Sequence, residues 1–191
     1  MTKYLTLAIV GLSLAACDDK PGVNKNFAMI GDSVISLMAP VQPQLPSPFD
    51  GAINLGVGGQ TSTQIRLRIG TIPAGTPMVL LEGGINNLGD PDAIAADYEA
   101  MLNTIPNTTQ VFFLGIIHVD EAQLAKSIPG SPLTNAAITE VVVRINAICY
   151  RHSNCAPAIA AQMQSMDGLT IDGLHPNPAG YLAIANRVLG H

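Results

Sequence analysis

The chain has 191 residues, enough for one domain with a sizeable core and hardly enough for two. Its 14 prolines and 18 glycines fall below the roughly 25 to 30% share that marks low-complexity chains, so it should fold. A net charge of -5, with only 9 Lys and Arg and no basic run, excludes a phosphate-tracking surface and with it nucleic acid as a partner.

The amino terminus reads as a processing signal. Lys3 supplies a positive start, and the apolar run from Leu5 to Ala16 ends in small side chains. As a helix that run would reach about 18 Å against roughly 30 Å of bilayer hydrocarbon, so it does not span. Leu14-Ala15-Ala16-Cys17 resembles the lipobox of bacterial lipoproteins. The resemblance implies cleavage after residue 16 and lipidation of Cys17; the alternative is an ordinary signal peptide with a chance cysteine. Residues 17–26 are polar, with Pro21 and Gly22, and read as a short tether, leaving 27–191 as the domain. The expected location is the bacterial cell envelope, held by lipid and facing the periplasm or the exterior.

Phe27 to Ile30 reads as a buried strand, and Gly31 permits a tight turn that leaves Ser33 at the strand's carboxyl end, where open α/β sheets keep their chemistry. A short helix can run from Ser33 to Ala39; Pro40, Pro43, Pro46 and Pro48 forbid a long one. Ala52 to Leu55 is a second strand ending in Gly56-Val57-Gly58-Gly59, and Thr61 to Ile69 can be helical with Arg66 and Arg68 in solvent. Met78 to Leu81 is a third strand, leading into Glu82-Gly83-Gly84-Ile85-Asn86-Asn87. Asp90 or Asp92 can cap a helix whose Ile94, Tyr98, Met101, Leu102 and Ile105 recur at helical spacing until Pro106. Val111 to Ile117 suits a strand covered on both faces. A long polar connection with Pro129 and Pro132 leads to a helix carrying Ile138, Val141, Val142, Ile145 and Ile148; a last strand near Ala156 to Ala160 is interrupted by Pro157, and a final helix runs from Pro178 to Leu189. Strands that are nearly all apolar, alternating with helices, indicate a parallel sheet with helices on both faces. In an exported chain Cys149 and Cys155 favour a disulfide over two free buried thiols.

A serine is a weak nucleophile until a base takes its proton, and Gly-Asp-Ser alone is an ordinary turn tripeptide. The far end of the chain supplies partners in Asp172-Gly173-Leu174-His175-Pro176. Taken in order, Gly31-Asp32-Ser33, Gly56 in Asn54-Leu55-Gly56-Val57-Gly58-Gly59, Gly84-Ile85-Asn86-Asn87 and Asp172 to Pro176 resemble the four blocks of the SGNH (GDSL-type) hydrolase family. The resemblance implies a three-layer α/β/α sandwich with a mostly parallel five-stranded sheet, hydrolysing carboxylic esters through an acyl-enzyme. It implies Ser33 as nucleophile, His175 as base and Asp172 as the acid that orients it. The Ser33 amide, the Gly56 amide and the Asn86 side chain would be oxyanion donors. Asn87 stands where the family has Asp and is expected to affect loop packing rather than chemistry. The α/β-hydrolase elbow Gly-x-Ser-x-Gly is absent from the domain.

His118 follows a strand and is read as a structural histidine; His152 and His191 carry no assignment, and Glu82 is expected to be held by backbone amides. No spacing suggests a metal site, and no cofactor is expected. The expected partner is a small-molecule or glycan ester. The loops beside the motifs are rich in Gly and Asn, so a shallow site favouring acetyl-sized acyl groups is expected. The alternatives are a lipase or lysophospholipase acting on longer chains, or a catalytically silent lipoprotein that binds a glycan or a protein.

Overall fold

The computed structural model describes residues 24–190. The signal run, Cys17, most of the tether and His191 lie outside the described residues. Five parallel strands, β1 (Asn24–Gly31), β2 (Ala52–Gly56), β3 (Met78–Glu82), β4 (Gln110–Gly115) and β5 (Cys155–Pro157), form one sheet in the order β2-β1-β3-β4-β5. β1 starts three residues before the expected boundary, within the stretch read as tether, because Asn24 already pairs with Ala52. β5 is shorter than expected and ends at Pro157. The Ala158 amide makes a last bond to the Phe113 carbonyl, and Ala158 then caps a helix that the sequence reading had placed in the strand.

The helices are α1 (Ser33–Ser36), α2 (Ser62–Leu67), α3 (Pro91–Thr104), α4 (Glu121–Ser127), α5 (Asn135–Cys149), α6 (Ile159–Gln162) and α7 (Pro178–Leu189). The cap of α3 is Asp90, whose carboxylate accepts the Ala93 amide, with Pro91 following it. α4 lies inside the segment read as a polar connection. Asp120 caps it, Glu121 opens it and Lys126 closes it, charges that suit the two ends of a helix, but a single buried apolar residue, Leu124, gives too weak a period to read.

Alternation along the strands divides the core into two layers. Ala28 and Ile30 of β1, Val79 and Leu81 of β3, and Val111 and Phe113 of β4 pack with α2, α3 and α5. Phe27, Met29, Leu80 and Leu114 face the opposite way, against Val34 and Ile35 of α1 and Tyr181, Ile184 and Ala185 of α7. Both faces of every central strand are therefore buried, which is why those strands read as unbroken apolar runs. Cys149 at the end of α5 is bridged to Cys155 at the start of β5, with 5.3 Å between their Cα atoms.

Candidate active site

The polar segments at the carboxyl ends of β1, β2 and β3 converge with the loop before α7. Ser33 is the first residue of α1, so its amide has no intrahelical acceptor. Its Oγ lies 3.0 Å from His175 Nε2, and His175 Nδ1 lies 2.8 Å from Asp172 Oδ2. The other Asp172 oxygen accepts the backbone amides of Leu174 (3.0 Å) and His175 (2.8 Å). Partial burial pushes the Asp172 carboxyl up, but the hydrogen bonds from His175 and Leu174 outweigh it and hold the group below the usual carboxylate range. A carboxylate so fixed holds the imidazole with Nδ1–H towards Asp172 and leaves Nε2 as the acceptor facing the serine hydroxyl.

The 170–176 loop is held by an element the sequence reading missed. Gln123 of α4 donates to the Ile171 carbonyl at 2.7 Å and accepts the Thr170 hydroxyl at 2.6 Å, while the Asp120 carboxylate accepts the Gly168 amide at 3.1 Å. On the other side, Asn177 caps α7, and the Tyr181 hydroxyl donates to the Val34 carbonyl at 2.9 Å. One helix thus joins the histidine loop to the turn that carries the serine. The signals in the sequence are Asp120 and Gln123 at cap spacing, but their partners lie 48 and 47 residues away and no local pattern names them.

Asn86 reaches the site from the short 3-10 turn after β3. Its amide donates to the Gln60 carbonyl at 2.9 Å and, more weakly, to Asp32 Oδ2 at 3.3 Å. Asn87 packs the loop, as expected. Its Oδ1 accepts the Ser62 amide and its Nδ2 donates to the Ser62 hydroxyl, which in turn donates to Asp97 at 2.7 Å. Arg66 bonds to the same Asp97.

Gly56 needs correction. Its amide donates to Asn54 Oδ1 at 3.0 Å, so it is not presented as a donor for a substrate oxygen. Its role is close approach, since a β-carbon there would meet the Ser36 nitrogen at 2.1 Å and the Ile35 carbonyl carbon at 2.6 Å. The residue beside the serine is Gly58, whose β-carbon would lie 3.9 Å from that of Ser33. Among the described residues neither the Gly58 nor the Gly59 amide has an acceptor. Sequence alone could not choose among glycines two and three positions apart.

Arg68 is a second correction. Instead of facing solvent, its guanidinium donates to the carbonyls of Gly31 and Leu55 and to Gln60 Oε1, all at 2.5 Å. Near it lie two buried carboxyls. Burial pushes Asp32 up, against a hydrogen bond from the Val34 amide, and pushes Glu82 well above the usual carboxylate range, reinforced by the charge of Asp32. Glu82 is held by a backbone amide, that of Asp32, at 3.0 Å. His118 is 3.0 Å from the Thr139 hydroxyl, and His152 lies 3.4 Å from Glu99; neither is among the hydrogen-bond partners of the serine or the 170–176 loop. Among the described residues no three His, Cys, Asp or Glu side chains converge as a metal site.

A cleft of about 460 Å³ opens at Asn86, its apolar lining made by Ile85, Leu88, Ile128, Pro132, Leu133 and Ala137. The 83–90 loop, for all its Gly and Asn, contributes Ile85 and Leu88 to this apolar lining. The segment between α4 and α5, a polar connection by its sequence, supplies Ile128, Pro132 and Leu133 to it.

No curated protein sequence matches the chain. Solved structures do. A GDSL-like lipase from Bacteroides thetaiotaomicron superposes with a TM-score of 0.68 at 18% identity, over 87% of each chain. An acetyl xylan esterase gives 0.64 at 16% identity, over 86% of this chain and 98% of the other. A catalytic mutant of an acetylxylan esterase from Geobacillus stearothermophilus gives 0.62 at 13%, over 88% and 94%. At such identities the likeness is one of fold. The sequence itself goes further: residues 30–183 match the model of the GDSL-like lipase/acylhydrolase family, and the chain belongs to that family.

Proposed function

We propose that the protein is a serine carboxylic ester hydrolase working outside the cytoplasm through an acyl-enzyme. The observation that carries this reading is the chain of contacts from Ser33 Oγ through His175 to Asp172, at 3.0 and 2.8 Å. In acylation His175 Nε2 takes the hydroxyl proton as Ser33 Oγ bonds to the ester carbonyl carbon, and the protonated imidazole then gives that proton to the departing alkoxide. In deacylation a water repeats the sequence and Ser33 recovers its proton. The developing oxyanion would be met by the Ser33 amide and by Asn86 Nδ2, whose 3.3 Å bond to Asp32 is weak enough to be exchanged for it. Of the glycine amides, Gly58 and Gly59 are better candidates for a third donor than Gly56. A fluorophosphonate probe should label the wild-type protein and not Ser33→Ala; labelling of both would refute the assignment. Intact Ser33, His175, Asp172 and Asn86 weigh against a silent binding protein.

The acyl group is where two observations compete. Two acetylxylan esterases share the fold, which favours acetyl esters of sugars. The apolar cleft beside Asn86 favours acyl chains of several carbons, since each methylene buried there is worth about 0.8 kcal/mol. The cleft belongs to this chain, so the proposed range extends past acetyl to acyl chains of several carbons. kcat/KM for aryl esters of two to twelve acyl carbons tests it. A steady fall from two carbons would restore the acetyl esterase reading, and a maximum at eight or more would mean a lipase or lysophospholipase.

Anchoring through Cys17 is proposed from the sequence. Among the described residues no helix is long and apolar enough to cross a membrane. The chain enters the sheet at Asn24, and Ser33 follows the other end of β1, about 23 Å away at roughly 3.3 Å per residue. An anchor at the near edge would therefore hold the site on the side away from the lipid. Cys17→Ala should move esterase activity from the membrane to the soluble fraction without reducing it; activity that stays with the membrane would refute the anchor.

A further inference from the structure

Beneath the serine lies a group of charged side chains that the proposed chemistry does not use. Asp32 is 0% exposed and Glu82 1% exposed, and they come from the ends of neighbouring strands. Glu82 Oε2 accepts the Asp32 amide at 3.0 Å. Gly31 makes room for it, because a β-carbon there would sit 2.3 Å from that same oxygen. Arg68 spans from the Gly31 carbonyl to the Leu55 carbonyl and on to Gln60, and so joins the ends of β1 and β2 to the loop beside Ser33.

We propose that Glu82 and Arg68 are positioning residues for Ser33, holding the Gly31-Asp32-Ser33 turn from beneath so that the hydroxyl stays within reach of His175. The inference rests on the ester hydrolase reading above. Two carboxyls this deeply buried beside a single guanidinium cannot both carry charge. Asp32 accepts hydrogen bonds from the Val34 amide (3.1 Å) and from Asn86 (3.3 Å), whereas the bond Glu82 accepts is that from the Asp32 amide. The negative charge therefore sits on Asp32 and the proton on Glu82, whose side chain is hydrogen-bonded to Asp32. The pair then accepts and donates at once: Glu82 receives the Asp32 N–H and returns its own proton to the Asp32 carboxylate. Four titratable or charged groups face this pair: Arg68, Tyr98 from α3, His175 from the loop before α7, and Tyr181 from α7. Of these only Arg68 is a permanent cation, and it balances the one charge left on Asp32.

Glu82→Gln copies the protonated side chain, since Oε1 can accept the Asp32 amide while Nε2 donates to Asp32. With p-nitrophenyl acetate as substrate, Glu82→Gln is expected to keep kcat within about twofold, whereas Glu82→Ala and Arg68→Gln should lower kcat at least about tenfold with little change in KM. On the alkaline side the wild type should lose kcat as Glu82 ionises beside Asp32, and Glu82→Gln should not. Equal losses in the Gln and Ala variants would overturn the proposal, as would wild-type kcat in either Glu82→Ala or Arg68→Gln. Should Glu82→Ala not fold, the wild type supplies the decisive measurement. The carboxyl carbon of Glu82, assigned by the signal lost in Glu82→Gln, is expected at a protonated chemical shift at neutral pH, and a carboxylate shift overturns the proposal. That spectrum needs no turnover, so a failed fluorophosphonate label would refute the esterase reading while leaving the state of Glu82 separately decided.

Discussion

Gly56→Ala is the sharpest test of how the strand ends position the serine. The added β-carbon would lie 2.1 Å from the Ser36 nitrogen and 2.6 Å from the Ile35 carbonyl carbon. Both are backbone atoms of a helix whose first residue is Ser33, so no side chain can rotate away. Relieving the overlap requires α1 and β2 to part by about 1 Å, and overpacking of that kind costs about 1 to 3 kcal/mol. For a chain of this length that lowers the melting temperature by about 2 to 12 °C. The kinetic effect should be larger in proportion, because a 1 Å displacement of a reacting group can cost about a hundredfold. The expected result is a soluble, folded variant with kcat/KM for p-nitrophenyl acetate down by about two orders of magnitude. Gly58→Ala is the control: its β-carbon would meet only the Ser33 β-carbon at 3.9 Å, an ordinary contact, and stability should hardly change. Since alanine keeps the backbone amide, a Gly56→Ala variant with normal stability and activity would refute the packing argument and reopen the donor role.

Ser33→Ala and His175→Ala should each remove about four or more orders of magnitude in kcat, and the double variant should lose little more, because the two act as a unit; additive losses measured on one ester would contradict this. Asn86→Ala should lower kcat by about a hundredfold with a smaller effect on KM, and a change in KM alone would make Asn86 a substrate-binding residue. Reducing the Cys149–Cys155 bridge should cost about 2 kcal/mol or less and a few degrees of melting temperature, followed by calorimetry with and without reductant. Burial holds Glu82 above its usual range in the folded chain. Between the ordinary glutamate value and the raised one, the native state therefore binds more protons than the unfolded state, and Glu82's contribution to stability falls as pH rises through that window. Glu82→Gln should flatten this part of the stability profile in urea titrations; an unchanged slope would place the proton elsewhere.

The sequence by itself determined the layered fold and most of the candidate site. Apolar runs such as Phe27 to Ile30 and Met78 to Leu81 can be buried on both faces only in a covered parallel sheet. The reach of Asp172 to His175, three positions on, is short enough to be read from spacing. Only the tertiary structure decided what depends on distant partners. α4 has little apolar period of its own and is held by contacts with 168–173. Arg68 looks like a surface arginine until the ends of β1 and β2 bring two carbonyls and two buried carboxyls to it. Gly56 and Gly58 are two residues apart on one chain, yet one meets the backbone of α1 and the other the serine. Local pattern reports a residue's own preferences, whereas donor geometry and the ionisation of Glu82 are set by groups brought near from elsewhere in the chain.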